Sequence, residues 1–283
     1  MGMGSIYLGA PVQEMVRPAV LFLVCILLIF LSVEFIHRKY NIPKQIWCYW
    51  NSDIPLSVQK ILNKNKELLK DWNYTILTDA TLSDYIDTSQ FPPQVQKLSA
   101  PHKADYIRLV LLKQYGGCWL DASIIIHSPA ALESIRQVSQ RAHSSLTAFS
   151  LGEPQYTYIE NWFIMAPKGS QVIERWFEEY DKAVRMGFKE YKEDIFAKGY
   201  DINERIYKRK GPNVYLTQHA CLQVVRQTMF QFPSSVLLYK AEDSMFKLHD
   251  ECKWDSACIK EKMKKDPSVR EIPFIKLRGD DRE

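Results

Sequence analysis

The stretch that most restricts what this chain can fold into is Ser99 to Ile126, SAPHKADYIRLVLLKQYGGCWLDASIII. Its pattern predicts a helix, a glycine stop, a short strand and an aspartate at the strand's end. Ser99 suits an N-cap, and Pro101 suits a first turn, where a missing N–H costs nothing. Ile107, Val110, Leu111 and Tyr115 recur at helical spacing and are expected to face a core. Asp105 and Arg108, three apart, share one flank of that helix. Gly116-Gly117 ends it, because glycine adopts the left-handed backbone that a C-terminal cap favours. Cys118-Trp119-Leu120 then runs apolar into Asp121, with Ala122, Ser123 and Ile124-Ile125-Ile126 beyond. A carboxylate between two apolar runs is costly to bury without a partner, so Asp121 is the most informative residue in the chain.

Around this centre, strand-like runs alternate with helical ones. Strands are expected at Gln45 to Trp50, Tyr74 to Leu77, Leu146 to Phe149, Asn161 to Ala166 and Val236 to Tyr239. Helices are expected at Val58 to Leu69, Ser170 to Val184, Thr217 to Phe230 and Trp254 to Lys265, with a charged peripheral segment from Tyr191 to Arg209. Such alternation predicts an α/β layered fold with a mostly parallel central sheet. In Gln45 to Trp50, period-two alternation places Trp47 and Tyr49 on one face and Trp50 on the other.

Before this region, Pro18 to Ile36 is nineteen residues long and almost wholly apolar. A bilayer core takes about twenty such residues, so a single transmembrane anchor is expected there, after a short tail over residues 1–17. A cleaved signal peptide is the competing reading; against it, His37-Arg38-Lys39-Tyr40 follows where a small-residue cleavage site belongs. One catalytic domain is then expected over 41–283. Arg38, Lys39 and Lys44 after the span, against Arg17 before it, lean toward a cytoplasmic catalytic side. Among six cysteines only Cys252 and Cys258 suggest a local disulfide, and no clustered Cys/His pattern suggests structural zinc. The formal net charge of +4 is too small and scattered for a nucleic-acid partner.

Ala104-Asp105-Tyr106-Ile107-Arg108 followed by Gly116-Gly117-Cys118-Trp119-Leu120-Asp121-Ala122-Ser123 resembles the DXD-type sugar transferases. These include capsular polysaccharide synthesis proteins, Och-type mannosyltransferases and clostridial glucosylating toxins. Their shared string is S-D-x-x-R, a leucine-rich helix, G-G, an aromatic, Leu and Asp-x-Asp; this chain has Ser123 where many members have the second aspartate. The resemblance implies a GT-A fold, a Rossmann-like nucleotide-binding domain, and a nucleotide-sugar donor with a glycan or glycolipid acceptor. It also implies retention of anomeric configuration. Eukaryotic relatives of this kind are usually lumenal, which opposes the charge argument and leaves Golgi or ER lumen against cytoplasmic face open.

A departing nucleoside diphosphate needs its growing charge neutralised, and carboxylates suit Mn²⁺ or Mg²⁺ for that task. Asp121, at a strand end where open α/β sheets bind ligands, is expected to be the principal metal ligand, with Ser123 as a weaker one. From the resemblance, Asp105 is expected to accept hydrogen bonds from donor-sugar hydroxyls, with Arg108 fixing it. Taken alone, the two residues read better as a surface ion pair. Trp50 matches the place where relatives stack an aromatic on the base, or else it simply packs. Asn161 resembles the family's donor-sugar asparagine. Lys276 is either a pyrophosphate contact or a solvated lysine. His249 is either a third metal ligand or a surface histidine. The leading expectation is a metal-dependent, membrane-anchored glycosyltransferase. The alternatives are an inactive nucleotide-sugar-binding protein of the same fold, motivated by Ser123, and a membrane-bound metal phosphohydrolase using Asp121 and His249.

Overall fold

The structure, a computed structural model, describes residues 38–152 and 158–282 together with scattered positions between 21 and 34. The chain divides into Met1–Lys39 and a compact unit Tyr40–Glu283. Of the expected anchor, Leu21, Phe22, Val24 to Ile29, Leu31 and Glu34 are helical, and the remainder lies outside the described residues. Among the described residues no helix is long and apolar enough to cross a membrane.

The compact unit is built on a six-stranded sheet. β1 (Gln45–Tyr49) pairs in parallel with β2 (Asn73–Leu77) and with β3 (Gly117–Leu120). A separate two-stranded ribbon joins β4 (Ile124–Ile126) to β8 (Phe274–Lys276), antiparallel. β5 (Leu146–Ser150) and β6 (Ile159–Ala166) pair antiparallel, β6 also opposes β3, and β7 (Val236–Lys240) runs parallel to β5. The order is β2-β1-β3-β6-β5-β7, so three of five pairings are parallel and the sheet is mixed. The reversal has a simple cause. Only residues 151–158 separate β5 from β6, and eight residues are too few for the crossover of a dozen or more that a parallel return needs, so the chain returns antiparallel.

Helices cover both faces. α1 (Leu56–Leu68) and α3 (Pro129–Arg141) pack with Ile46, Cys48, Cys118, Leu120 and Phe163. α2 (Ala100–Tyr115), α4 (Gln171–Met186), α5 (Phe188–Ala197) and α6 (Thr217–Thr228) pack with Trp47, Tyr49, Trp119 and Ile164. The strands thus sort their side chains by period two, as the sequence predicted for β1. Two short late helices, α7 (Lys247–Glu251) and α8 (Ser256–Lys265), flank the Cys252–Cys258 disulfide.

Three local expectations change. Ser99 occupies the N-cap of α2, but its side chain caps no N–H; it pairs with His102 Nδ1 at 3.0 Å. The segment after Tyr191 is not peripheral, since Tyr191 and Ile195 are fully buried on α5. The last predicted helix starts two residues later, at Ser256, where Asp255 accepts from the Cys258 N–H.

The glycine pair works as expected and more strictly. Gly116 has φ 70° and ψ −162°, a region almost closed to other residues, and a Cβ there would stand 2.4 Å from the Lys168 nitrogen. A Cβ on Gly117 would stand 2.5 Å from the Gln45 carbonyl oxygen. The tight pass lets β3 enter directly beside β1, and so delivers Asp121 to the sheet's edge.

Candidate active site

β1 and β3 are parallel and end at Tyr49 and Leu120, while β6 runs the opposite way, so its first residues lie at the same edge. A cleft of about 500 Å³ opens there, lined by Trp50, Asp121 and Asn161 from the three strand ends and by Asp105 and Arg108 from α2. The Asp121 N–H donates to the Trp162 carbonyl at 2.9 Å, locking the end of β3 to β6.

Asp105 and Arg108 are not a surface ion pair. They are 7% and 4% exposed, and Arg108 Nη1 donates to Asp105 Oδ1. Arg108 Nη2 also reaches Asp121 Oδ1 at 3.2 Å, and its guanidinium lies 4.9 Å over the Trp119 ring. Asn161 Nδ2 donates to Asp105 Oδ1 at 3.0 Å. Buried Gln218, on α6, joins them: its Oε1 accepts from Arg108 Nη1 at 2.9 Å and from Asn161 Nδ2 at 2.7 Å, while its Nε2 donates to the Asp105 carbonyl at 2.6 Å. A planar guanidinium with several fixed acceptors makes a rigid platform, since one partner cannot swing without breaking the others. Burial pushes the Asp105 carboxyl above its usual range, even against the pull of Arg108.

Asp121 is engaged on both oxygens. Trp119 Nε1 donates to Oδ1 at 3.0 Å, and the Lys276 ammonium stands 3.2 Å from Oδ2. Lys276 Nζ also donates to Ser123 Oγ at 2.6 Å. Burial alone would raise the Asp121 carboxyl, but Lys276 and Arg108, helped by Trp119, outweigh it and hold it below the usual carboxylate range. The β4–β8 register, Ile124 opposite Lys276, is what brings this lysine to Ser123, so it is no solvated surface residue.

The rim carries Trp50, with the Arg282 guanidinium 5.5 Å from its ring, and Arg278. Glu160 and His219 also line the cleft, both buried, with Glu160 Oε2 3.4 Å from His219 Nε2. Trp50, Asp105, Arg108, Asp121, Ser123, Asn161 and Lys276 therefore line one cleft. His249 does not. It is fully buried, pairs through Nε2 with Asp281 Oδ2 at 2.9 Å, and is packed by Phe246 and Trp254. The assignment of His249 as a metal ligand is corrected, because the residue is fully buried and does not line the cleft, and its Nε2 is spent on a buried carboxylate.

Expected divalent-cation binding meets a poor donor set. Ser123 replaces a carboxylate, His249 is elsewhere, and both oxygens of Asp121 already face cationic or N–H donors. Among the described residues no group of three His, Cys, Asp or Glu side chains could hold a metal ion. The phosphohydrolase alternative, which needs such a cluster, loses its basis with His249.

Gln218, Glu160, His219 and Arg282 were missed by sequence reasoning. The only signal for the first was a polar run, Thr217-Gln218-His219, opening a helix that is buried on all sides.

Known proteins resemble this chain at low identity. The O-glycosyltransferase braB of Annulohypoxylon truncatum is 28% identical over 156 residues, covering 49% of this chain and 37% of that protein. The O-glycosyltransferase PaGT of Phomopsis amygdali is 24% identical over 153 residues, covering 48% and 38%. The chain thus matches well under half the length of these curated relatives. Among solved structures, the PaToxG glycosyltransferase overlays with TM-score 0.40 at 15% identity, over 90% of this chain and 87% of that one. A glycosyltransferase involved in the glycosylation of the major capsid of PBCV-1 overlays with TM-score 0.41 at 10% identity, over 83% and 94%. Overlays that loose carry no functional weight. A family model described as "Capsular polysaccharide synthesis protein" matches residues 29–254, well over half the sequence, and the chain belongs to that family.

Proposed function

We propose that this chain is a glycosyltransferase of GT-A type, moving a sugar from a nucleotide-diphosphate sugar to a hydroxyl of a glycan or glycolipid acceptor. The observation that carries it is the Asp105–Arg108–Asn161–Gln218 platform, fixed by buried hydrogen bonds yet opening on the cleft. Asp105 offers its free oxygen to sugar hydroxyls, and Arg108 holds it in place. Trp50, on the rim with Arg282 over its ring, offers a stacking surface for the base. Asp121 positions Arg108 and Lys276 at the cleft floor, where basic groups suit a diphosphate. The family resemblance supports a retaining outcome. A role for Mn²⁺ or Mg²⁺, which that resemblance also implies, gains no support from the donor set around Asp121.

A membrane anchor over residues 18–36 is supported by that segment's composition. The Cys252–Cys258 disulfide supports a catalytic unit facing an oxidising lumen, against the weak positive-charge bias.

The test is a screen of nucleotide sugars for hydrolysis and transfer by residues 41–283 and by the full chain. Release of one nucleoside diphosphate is expected, lost in Asp105→Asn. A second reading, a nucleotide-sugar-binding protein without turnover, rests on Ser123 and on the occupied oxygens of Asp121. Calorimetric binding without turnover across the acceptor panel would select it. Absence of binding by any donor would discard both.

A further inference from the structure

Resting on the glycosyltransferase reading, we propose that the Lys276 ammonium, and no divalent cation, receives the donor's diphosphate in this chain, so that nucleotide binding and sugar transfer proceed without metal.

The geometry at the end of β3 supports this. In a two-carboxylate site a cation would sit between Asp121 and position 123. Here Lys276 Nζ occupies that place, 3.2 Å from Asp121 Oδ2 and 2.6 Å from Ser123 Oγ. The substitution is matched on both sides: position 123 has become a neutral hydroxyl that an ammonium can donate to, where an aspartate would favour a metal. The lysine is also held by its backbone. Its N–H donates to the Met245 carbonyl at 2.9 Å, and the next N–H, of Leu277, donates to the Ser123 carbonyl at 3.0 Å. Its side chain is 13% exposed, so its position is built into the β4–β8 pairing.

Charge excludes a shared occupancy. A divalent ion on Asp121 would stand within a few ångström of both Lys276 and Arg108, and like charges at that separation repel strongly in a partly buried site. Asp121 Oδ1 is already taken by Arg108 and Trp119. The third ammonium contact, to the Leu277 carbonyl at 3.3 Å, is the longest, and a phosphate oxygen can replace it. Arg282 lines the same cleft and adds a further cationic side chain for the diphosphate, while the Arg278 guanidinium beside it is paired with Asp281.

In the transfer step the bond between sugar C1 and the β-phosphate oxygen breaks, and its electron pair stays on the departing nucleoside diphosphate. Lys276 meets that growing negative charge as a fixed ammonium. The acceptor hydroxyl oxygen bonds to C1, and its proton leaves on the released phosphate. The lysine keeps its protons throughout, so no metal is needed for the charge balance.

The experiment is calorimetric titration of the full chain with UDP, GDP, ADP and CDP, each in EDTA and in MnCl₂. One of them is expected to bind with an affinity that changes less than about twofold between conditions, and Lys276→Met is expected to weaken it about tenfold or more. Electron paramagnetic resonance of added Mn²⁺ gives a second readout, taken against the same Mn²⁺–nucleotide mixture without protein because a nucleoside diphosphate chelates Mn²⁺ by itself: the free-ion signal is expected to be unchanged by addition of wild type. It is expected to fall with the double variant Ser123→Asp, Lys276→Met, which rebuilds a two-carboxylate site. Binding that requires Mn²⁺, or a Mn²⁺ signal that wild type lowers below that of the protein-free Mn²⁺–nucleotide mixture, overturns the lysine assignment and leaves the glycosyltransferase reading standing. Binding of none of the four in either condition overturns that reading instead. Both outcomes are read on the wild-type chain, so they hold even if the lysine variant misfolds.

Discussion

Gln218 Oε1 lies 2.9 Å from Arg108 Nη1, and through this contact α6 fixes the orientation of the one guanidinium that touches both Asp105 and Asp121. Replacing Gln218 by Leu removes one of the two acceptors of buried Arg108 Nη1 and of half-buried Asn161 Nδ2, leaving Asp105 Oδ1 as the other, and takes the donor from the Asp105 carbonyl. A loss of about 1–3 kcal/mol in stability is expected from these lost bonds. Donor hydrolysis is expected to fall at the same time, because Arg108 is freed to swing. Urea denaturation and turnover measured together check this; a variant with normal turnover would show that Gln218 does not position Arg108.

Asp121→Asn keeps the shape and removes the charge that holds Arg108 and Lys276 together. Turnover is expected to drop about a hundredfold or more, as when a preorganised electrostatic contact is lost at a reacting centre. Unchanged donor hydrolysis in this variant would remove Asp121 from the machinery.

Trp50→Leu tests the base platform. Stacking of a base on an aromatic ring is worth about 1–3 kcal/mol, so nucleoside diphosphate affinity is expected to weaken by one to two orders of magnitude, with little change in unfolding midpoint. Competition binding against the wild-type nucleotide measures it. Equal affinity would assign Trp50 to packing with Arg282 alone.

The glycine turn separates strain from collision. Gly116→Ala puts a Cβ 2.4 Å from the Lys168 nitrogen and also forces a backbone region that costs about 1–3 kcal/mol by itself. Gly169, with φ 74°, has nothing within 4 Å of a built Cβ, so Gly169→Ala carries only the conformational cost of about 1–2 kcal/mol. Chemical denaturation of the two variants is expected to show the larger loss at 116. Equal losses would mean that the segment around Lys168 gives way freely.

Acid is expected to destabilise the fold in two stages. Burial lowers the His249 imidazole below its ordinary value near 6.5, against the pull of Asp281, so the unfolded chain takes the proton first. Stability present above that value is then lost as the pH falls through it. His127 is lowered too, mainly by burial, and adds to the same stage. Asp121 is held below the ordinary carboxylate range, so its contribution is kept above that range and lost only in stronger acid. Unfolding midpoints between pH 7.5 and 5 are expected to decline in wild type and to decline less in His249→Gln, which cannot titrate. Parallel slopes would show that His249 is protonated alike in both states.

What the amino-acid sequence determined was local. Residues 99–126 carry their own instructions: a helix whose flank pairs Asp105 with Arg108, two glycines that alone tolerate the turn, and an apolar strand ending in Asp121. Each of those features depends on neighbours within a few residues, so each could be read without the fold. The tertiary structure decided what surrounds them. Gln218 reaches Arg108 from 110 positions away. Lys276 reaches Ser123 across 153, through a two-stranded pairing that no periodicity announces. A shorter separation of 32 positions hid the fate of His249, whose partner is Asp281. Long-range hydrogen bonds are set by topology, and here topology placed an ammonium where the local motif alone suggested a metal ion.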